Sequence, residues 1–135
     1  MILVDTSVWV DYFNGLRNPH TDLLDASIAQ GSVVMGDLIF LEILQGIRDD
    51  RQYRRTKQSL LALDHYEMLG SDMAGRCADN YRSLRKRGIT IRKTADLIIA
   101  TFCIEQNLAL LFLDRDFMPF VDHLGLQPAL TRKTP

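Results

Sequence analysis

Residues 1–13, Met-Ile-Leu-Val-Asp-Thr-Ser-Val-Trp-Val-Asp-Tyr-Phe, set an acidic residue between two contrasting segments. Ile2–Val4 is a run of branched apolar residues, which is typical of a short buried strand. Asp5 ends that run, and Asp5-Thr6-Ser7 offers N-caps for a helix that Asn14-Gly15 would end. The stretch therefore predicts a strand, an acidic residue at its carboxyl end, and then a helix.

The same alternation continues along the chain. Strands that alternate with helices indicate an α/β fold, a three-layer sandwich in which helices cover both faces of a parallel sheet. In such sheets the ligand site lies beyond the carboxyl ends of the strands. The further predicted strands cover residues 33–35, 65–69 and 108–113, and the further predicted helices cover residues 19–30, 37–47, 50–63, 71–87 and 93–106.

The length of 135 residues suits one domain, and we take residues 1–135 as a single unit whose tail, from about residue 122, is loosely packed. The net charge of -1 excludes a generally cationic nucleic-acid coat protein and a disordered polyelectrolyte. The charges are unevenly placed, however. Residues 46–93 carry 12 basic and 6 acidic groups, whereas the two flanks carry 4 basic and 11 acidic groups.

The chain has neither a basic leader before Asp5 nor an apolar run of the roughly 20 residues that a membrane span needs. We therefore expect a cytoplasmic protein without membrane contact. Cys77 and Cys103 are far apart and belong to no CxxC pair, so two reduced, buried thiols are expected, with a single disulfide as the open alternative.

Each acidic residue in an apolar setting has an ordinary structural interpretation when taken alone. Asp5 can cap a helix, Glu42 can lie on a narrow exposed stripe, and Asp96 can complement a helix dipole. Asp114 and Asp116 can form a turn after a strand. A compact α/β sheet can nevertheless bring these carboxylates to one edge, where they would repel one another unless a cation neutralised them. Ligands that are all oxygens favour Mg²⁺ or Mn²⁺ over zinc.

Four stretches of the sequence resemble the acidic motifs of the PIN-domain nucleases, in particular the VapC-type toxins of toxin–antitoxin pairs. Residues 1–13 resemble the opening of that family. Residues 41–46 (Leu-Glu-Ile-Leu-Gln-Gly), 93–100 (Lys-Thr-Ala-Asp-Leu-Ile-Ile-Ala) and 110–117 (Leu-Leu-Phe-Leu-Asp-Arg-Asp-Phe) resemble the second, third and fourth motifs. They occur in the family's order and spacing, and this combination is far more specific than any one motif.

The resemblance implies a PIN fold, with a short-stranded parallel sheet of about five strands, and Mg²⁺- or Mn²⁺-dependent endoribonuclease activity. Metal-activated water would then attack the phosphodiester. Many relatives carry His or Thr two residues before the fourth acidic residue, where this chain has Phe112. The resemblance implies that the metal-binding and catalytic residues are Asp5, Glu42, Asp96 and Asp114, with Asp116 as a further metal ligand and with Ser7 and Thr94 as supporting hydroxyls.

An acidic site repels RNA, so cationic groups are expected near it. Residues 82–93 carry six such groups and lead directly to Asp96, which favours RNA binding by Arg85, Arg87, Arg92 and Lys93. A second basic group, at residues 48–57, is equally well explained as a solvated helix face.

The resemblance also implies two protein partners, a cognate VapB-type antitoxin and a second copy in a homodimer. Two other functions stay open from the sequence. One is a PIN nuclease of RNA processing outside any toxin–antitoxin pair, and the other is an inactive metal-binding interaction module.

Overall fold

The four strands predicted from the residue pattern form one parallel sheet. The computed structural model describes residues 1–130, and its sheet has the order β3-β2-β1-β4. All three pairings are parallel, with Leu3 of β1 opposite Val34 of β2 and opposite Leu110 of β4. The strands are β1 (Ile2–Val4), β2 (Val33–Gly36), β3 (Asp64–Tyr66) and β4 (Ala109–Leu111).

Within the described residues, six helices connect these strands and a seventh follows β4. α1 packs against α2 and α3, and α3 against α4, whereas α5 packs against α6 and α7. Since crossovers between parallel strands are right-handed and the strand order reverses at β1, the two groups of helices cover opposite faces of the sheet. The helices are α1 (Thr6–Phe13), α2 (Pro19–Ala29), α3 (Asp37–Gln45), α4 (Asp50–Leu61), α5 (Ser71–Lys86), α6 (Thr94–Gln106) and α7 (Met118–Leu124).

The number of strands differs from the expected five, because residues 1–130 contain four. A remnant of a fifth lies beside β4, where the Leu110 N–H donates to the Gln127 carbonyl at 2.9 Å and the Ala129 N–H donates to the Leu110 carbonyl at 2.8 Å. Pro128 stands opposite Leu110 in a single parallel bridge. The two bonds use the Gln127 carbonyl and the Ala129 N–H, so the position of the missing Pro128 N–H faces away from β4, where a proline at a sheet edge is tolerated.

The prediction of a loose tail from about residue 122 is wrong for residues 122–130. α7 runs to Leu124, and Leu126 is only 2% exposed within the hydrophobic core. Apolar burial of this kind, together with the bridge to β4, holds the segment against the sheet. Residues 131–135 lie outside the described part of the chain.

The connection from β2 to α3 depends on a close backbone approach at Gly36. The Met68 side chain packs against Gly36 where a Cβ atom would overlap it. Asp37 is the first residue of α3, and its carboxylate accepts hydrogen bonds from the N–H groups of Leu38 and Met68. These contacts set the direction in which α3 leaves the sheet.

Cys77 and Cys103 are both free and buried, as expected for reduced thiols. Burial is also the main cause that raises the pKa of each thiol. Within residues 1–130, no helix combines the length and the apolar character needed to cross a membrane.

Candidate active site

β1 and β4 are neighbours at the point where the strand order reverses, so their carboxyl ends lie side by side. The Asp5 N–H donates to the Leu111 carbonyl at 2.9 Å, which extends the pairing of the two strands by one step. Asp5 therefore stands at the same edge of the sheet as the Asp114 turn that follows β4. This edge, at a topological switch point, is the usual ligand site of an open α/β sheet.

Asp5 is buried, with 7% of the residue exposed. Its Oδ2 accepts a hydrogen bond of 2.9 Å from the Ser7 hydroxyl. Burial is the largest influence on the pKa of Asp5 and raises it; the Ser7 hydrogen bond lowers it, and the Asp114 charge raises it further. Asp5 is the N-cap residue of α1, but its side chain makes no capping hydrogen bond to the helix. The effect of the Asp114 charge on the pKa of Asp5, and of the Asp5 charge on that of Asp96, places these carboxylates near one another.

Glu42 reaches the same edge from α3. Its Oε1 accepts a hydrogen bond of 3.0 Å from the Thr6 hydroxyl, across 36 residues of sequence. Partial burial raises the pKa of Glu42, and the Asp5 charge raises it further. The carboxylate therefore does not lie on a freely exposed stripe, which was the alternative interpretation from sequence.

Asp96 lies in the first turn of α6. Its Oδ2 is buried and has no hydrogen-bond partner among the described residues. Burial first, and then the charge of Asp5, raises the pKa of Asp96 to about 6. A buried carboxylate oxygen without a partner is costly, and here its neighbours are themselves acidic.

Asp114 and Asp116 belong to a short 3-10 turn after β4. The Asp114 Oδ1 accepts a hydrogen bond of 2.9 Å from the Asp116 N–H, which holds both side chains at the sheet edge. Carboxylate oxygens of Asp96, Asp114 and Asp116, here called the acidic triad, all lie within 4.8 Å of one another. Beneath the turn, Phe112 packs against Phe117 with 5.2 Å between ring centroids. The apolar residue that departs from the family pattern thus supports the turn by packing.

The structure brings the five predicted acidic residues together around one edge. The charges of Asp5 and Asp114 each raise the pKa of Asp96, and the charge of Asp5 raises that of Glu42. The donor chemistry suits a hard divalent cation, since it consists of carboxylate oxygens and includes the unpartnered Asp96 Oδ2. These residues therefore fit a Mg²⁺ or Mn²⁺ ion.

The sequence model of the PIN domain matches residues 2–119. The chain belongs to the PIN-domain family. Two curated relatives of this PIN domain are VapC ribonuclease Mb1587 of Mycobacterium bovis and ribonuclease VapC11 of Mycobacterium tuberculosis. Each is 29% identical to it, over 98% of this chain and the whole of the relative. The family resemblance predicted from the four motifs is confirmed.

Solved structures of similar fold include toxin–antitoxin complexes. VapBC2 from Rickettsia felis, bound to a DNA fragment from its promoter, aligns with a TM-score of 0.75 at 17% identity, covering 95% of this chain and 97% of that one. VapBC-1 from nontypeable Haemophilus influenzae aligns with a TM-score of 0.71 at 18% identity, covering 94% and 96%. These likenesses establish that the two proteins share the fold of this PIN domain.

Two residues of this PIN domain have contacts that its sequence did not indicate. Thr6 was considered only as a helix cap, yet its hydroxyl holds Glu42. Lys93 was assigned to RNA, yet its Nζ lies 3.6 Å from Asp114 Oδ2 and 4.0 Å from Asp116 Oδ2. The one signal in the sequence was the position of Thr6 directly after Asp5, which places its hydroxyl near the predicted site; nothing in the sequence pointed to Glu42 as its partner.

Within residues 1–130, the other predicted residues, Thr94, Arg85, Arg87 and Arg92, make no side-chain hydrogen bond or ion pair to a carboxylate of the site. Thr94 starts α6 and is exposed. Arg85 and Arg87 are exposed at the end of α5, and Arg92 is exposed in the segment before α6. All three arginines are therefore accessible to a large ligand.

Proposed function

We propose that this PIN domain is a divalent-metal-dependent endoribonuclease and the toxin of a VapBC-type pair. The single observation that carries the metal dependence is the buried, unpartnered Asp96 Oδ2 within the acidic triad. Among the described residues, no hydrogen-bond donor satisfies Asp96 Oδ2. A divalent cation would neutralise the negative charge that the carboxylates of the triad bring together.

The proposed metal ligands are the carboxylates of Asp5, Glu42, Asp96, Asp114 and Asp116. A bound Mg²⁺ or Mn²⁺ would supply an activated water and neutralise charge on the phosphate. The side chains around them hold the ligands in place: Ser7 donates to Asp5, and the Asp116 N–H donates to Asp114. Thr94, at the start of α6, is the further proposed supporting hydroxyl. We assign catalysis to the four residues Asp5, Glu42, Asp96 and Asp114.

RNA is the proposed substrate because both curated relatives are named ribonucleases and because this chain carries exposed arginines in the segment that leads to Asp96. Arg85, Arg87 and Arg92 would bind backbone phosphates through their planar guanidinium groups. Lys93 contributes a further positive charge at the rim of the site. Phosphate contacts of this kind position an RNA without selecting its sequence.

A VapB-type antitoxin is the proposed partner, with a homodimer as the proposed assembly and the cytoplasm as its location. The support is the fold shared with the VapBC complexes of Rickettsia felis and Haemophilus influenzae. An antitoxin that covers an acidic site would restrain the nuclease until it is removed.

A cleavage assay on total RNA tests the nuclease proposal. We expect Mn²⁺ or Mg²⁺ to support cleavage by the wild type and EDTA to stop it. Asp5→Ala and Asp96→Asn should each lower cleavage by at least 100-fold, whereas Asp122→Asn, which changes an exposed carboxylate on α7, should not. Full activity of Asp96→Asn, or activity in EDTA, would contradict the metal mechanism. Metal binding without cleavage of any RNA would indicate the inactive interaction module instead.

Genetic context and growth separate a toxin from a nuclease of RNA processing. We expect a short reading frame directly upstream whose product binds this PIN domain and stops RNA cleavage. Expression of the wild type alone should arrest growth, and co-expression of that product should restore it. A chain that is encoded without such a neighbour and does not arrest growth would belong to RNA processing.

A further inference from the structure

Lys93 places a positive charge directly on the acidic triad. It is the last residue before α6, one helical turn ahead of Asp96. Its Nζ lies 3.6 Å from Asp114 Oδ2 and 4.0 Å from Asp116 Oδ2. The ammonium group thus lies within ion-pair range of two of the three carboxylates that a metal ion in the triad would use.

The position of Lys93 differs from that of the neighbouring cations. Arg92 precedes Lys93 and Arg115 lies between Asp114 and Asp116, yet among the described residues neither forms an ion pair with the triad. Within residues 1–130, every ion pair that reaches the triad comes from Lys93, and the remaining ones join Arg76 to Asp72 and Glu105. The arrangement is therefore specific to this one side chain.

The contact is also of a kind that a divalent cation can replace. The Lys93 side chain is 61% exposed, and both its distances to carboxylate oxygens are long for an ion pair. Exposed pairs of this type are weak because water screens them. A Mg²⁺ ion binds carboxylate oxygens at about 2.1 Å and carries twice the charge of the ammonium group. It would therefore bind Asp114 and Asp116 more strongly than Lys93 does.

We infer that Lys93 is an internal counterion of the metal-free site, which a divalent cation must displace from Asp114 and Asp116 before the site is loaded. The inference rests on the proposed function, because it takes the triad to be the metal site. In the metal-free protein Lys93 limits the repulsion between the two carboxylates and keeps them together. The same contact raises the concentration of metal that the site needs.

Titration of the full chain with Mn²⁺, followed by calorimetry, tests this competition. We expect Lys93→Met to bind Mn²⁺ at least five-fold more tightly than the wild type. Lys93→Arg, which keeps the charge, should bind within two-fold of the wild type. Arg92→Met is the matched control, since it removes an adjacent exposed positive charge without removing the contact, and its affinity should also stay within two-fold. An affinity of Lys93→Met equal to or weaker than that of the wild type would overturn the inference.

NMR of the methylated lysines observes the displacement itself. The chain has four lysines, Lys57, Lys86, Lys93 and Lys133, so reductive ¹³C-methylation introduces few signals and keeps each charge. We expect Mg²⁺ to shift the Lys93 signal, identified by its absence in Lys93→Arg, and to leave that of Lys57 unchanged. Metal binding without a Lys93 shift would overturn the counterion role alone. Failure of Mn²⁺ to bind both the wild type and Lys93→Met would overturn the inference together with the metal dependence.

Discussion

The hydroxyl of Thr6 donates a hydrogen bond of 3.0 Å to Oε1 of Glu42, joining the first turn of α1 to the middle of α3. This bond fixes the direction of the one glutamate in the acidic cluster. It also lowers the pKa of Glu42 against the effect of burial, which favours the charged form that binds a cation.

Replacing Thr6 therefore tests how much the cluster depends on this bond. Thr6→Val keeps the shape of the side chain but leaves Glu42 without its donor. We expect it to weaken Mn²⁺ binding and lower RNA cleavage, each by about ten-fold, since a hydrogen bond to a charged group is worth about 1.5 kcal/mol. Thr6→Ser should keep both properties near those of the wild type. Equal losses in the two variants would assign the effect to packing.

Asp96 makes the stability of the metal-free protein depend on pH. Its pKa of about 6 in the folded chain lies above the ordinary value of 3.8, so the folded state binds the proton more tightly than the unfolded state does. The resulting stability is fully present below pH 3.8 and is lost as the pH rises through 6. The groups facing Asp96 are Asp5, Asp114 and Asp116, which raise its pKa, and Lys93, which lowers it.

Asp96→Asn should remove this dependence on pH. In EDTA, we expect the Tm of the wild type to fall relative to that of Asp96→Asn between pH 4 and pH 7. Addition of Mg²⁺ at pH 7 should raise the Tm of the wild type and leave that of the variant almost unchanged. Parallel Tm curves for the two proteins from pH 4 to pH 7 would contradict the assignment.

Gly36→Ala tests the connection that aims α3 at the site. A Cβ atom at Gly36 would overlap the buried side chain of Met68, so we expect a loss of about 1–3 kcal/mol in the free energy of unfolding. Gly75→Ala is the matched control because its Cβ would meet nothing within 4 Å in α5, and it should stabilise by about 0.5–1 kcal/mol. Urea unfolding measures both. An unchanged midpoint for Gly36→Ala would show that Met68 moves aside freely.

Charge reversal of Arg85 and Arg87 tests the proposed RNA surface. Both are exposed at the end of α5, so Arg85→Glu/Arg87→Glu should fold normally. We expect RNA affinity to fall. The slope of log affinity against log salt concentration should become shallower by about one to two, as expected for the loss of one or two phosphate contacts. Arg51→Glu/Arg54→Glu on α4 provides a reversal of equal size elsewhere. Equal losses for both double variants would mean that RNA binding follows overall charge.

The local features of this PIN domain could be predicted from its residues. β1 and β2 follow from their apolar runs, and α1 and α2 end within one residue of the predicted positions. The bounds of β3 were less accurate, with a strand predicted at residues 65–69 and found at Asp64–Tyr66, because β3 is an exposed edge strand that lacks an apolar pattern. Periodicity and capping involve residues only a few positions apart, so they can be read along the chain.

The acidic residues of the site could also be predicted from the sequence. Asp5, Glu42, Asp96, Asp114 and Asp116 were all singled out by their motifs, and the structure brings them to one edge of the sheet. The sequence alone determined the chemistry available at this edge, because carboxylates in apolar settings need a partner wherever the fold puts them.

Tertiary structure decided how that chemistry is arranged. The order β3-β2-β1-β4 makes the strands before Asp5 and Asp114 neighbours, although they are more than 100 residues apart in the chain. The tertiary structure also determines the partners of individual side chains, since Thr6 donates a hydrogen bond to Glu42 and Lys93 forms an ion pair with Asp114. Such contacts depend on how strands and helices pack across the whole sheet, and no spacing within a single segment encodes them.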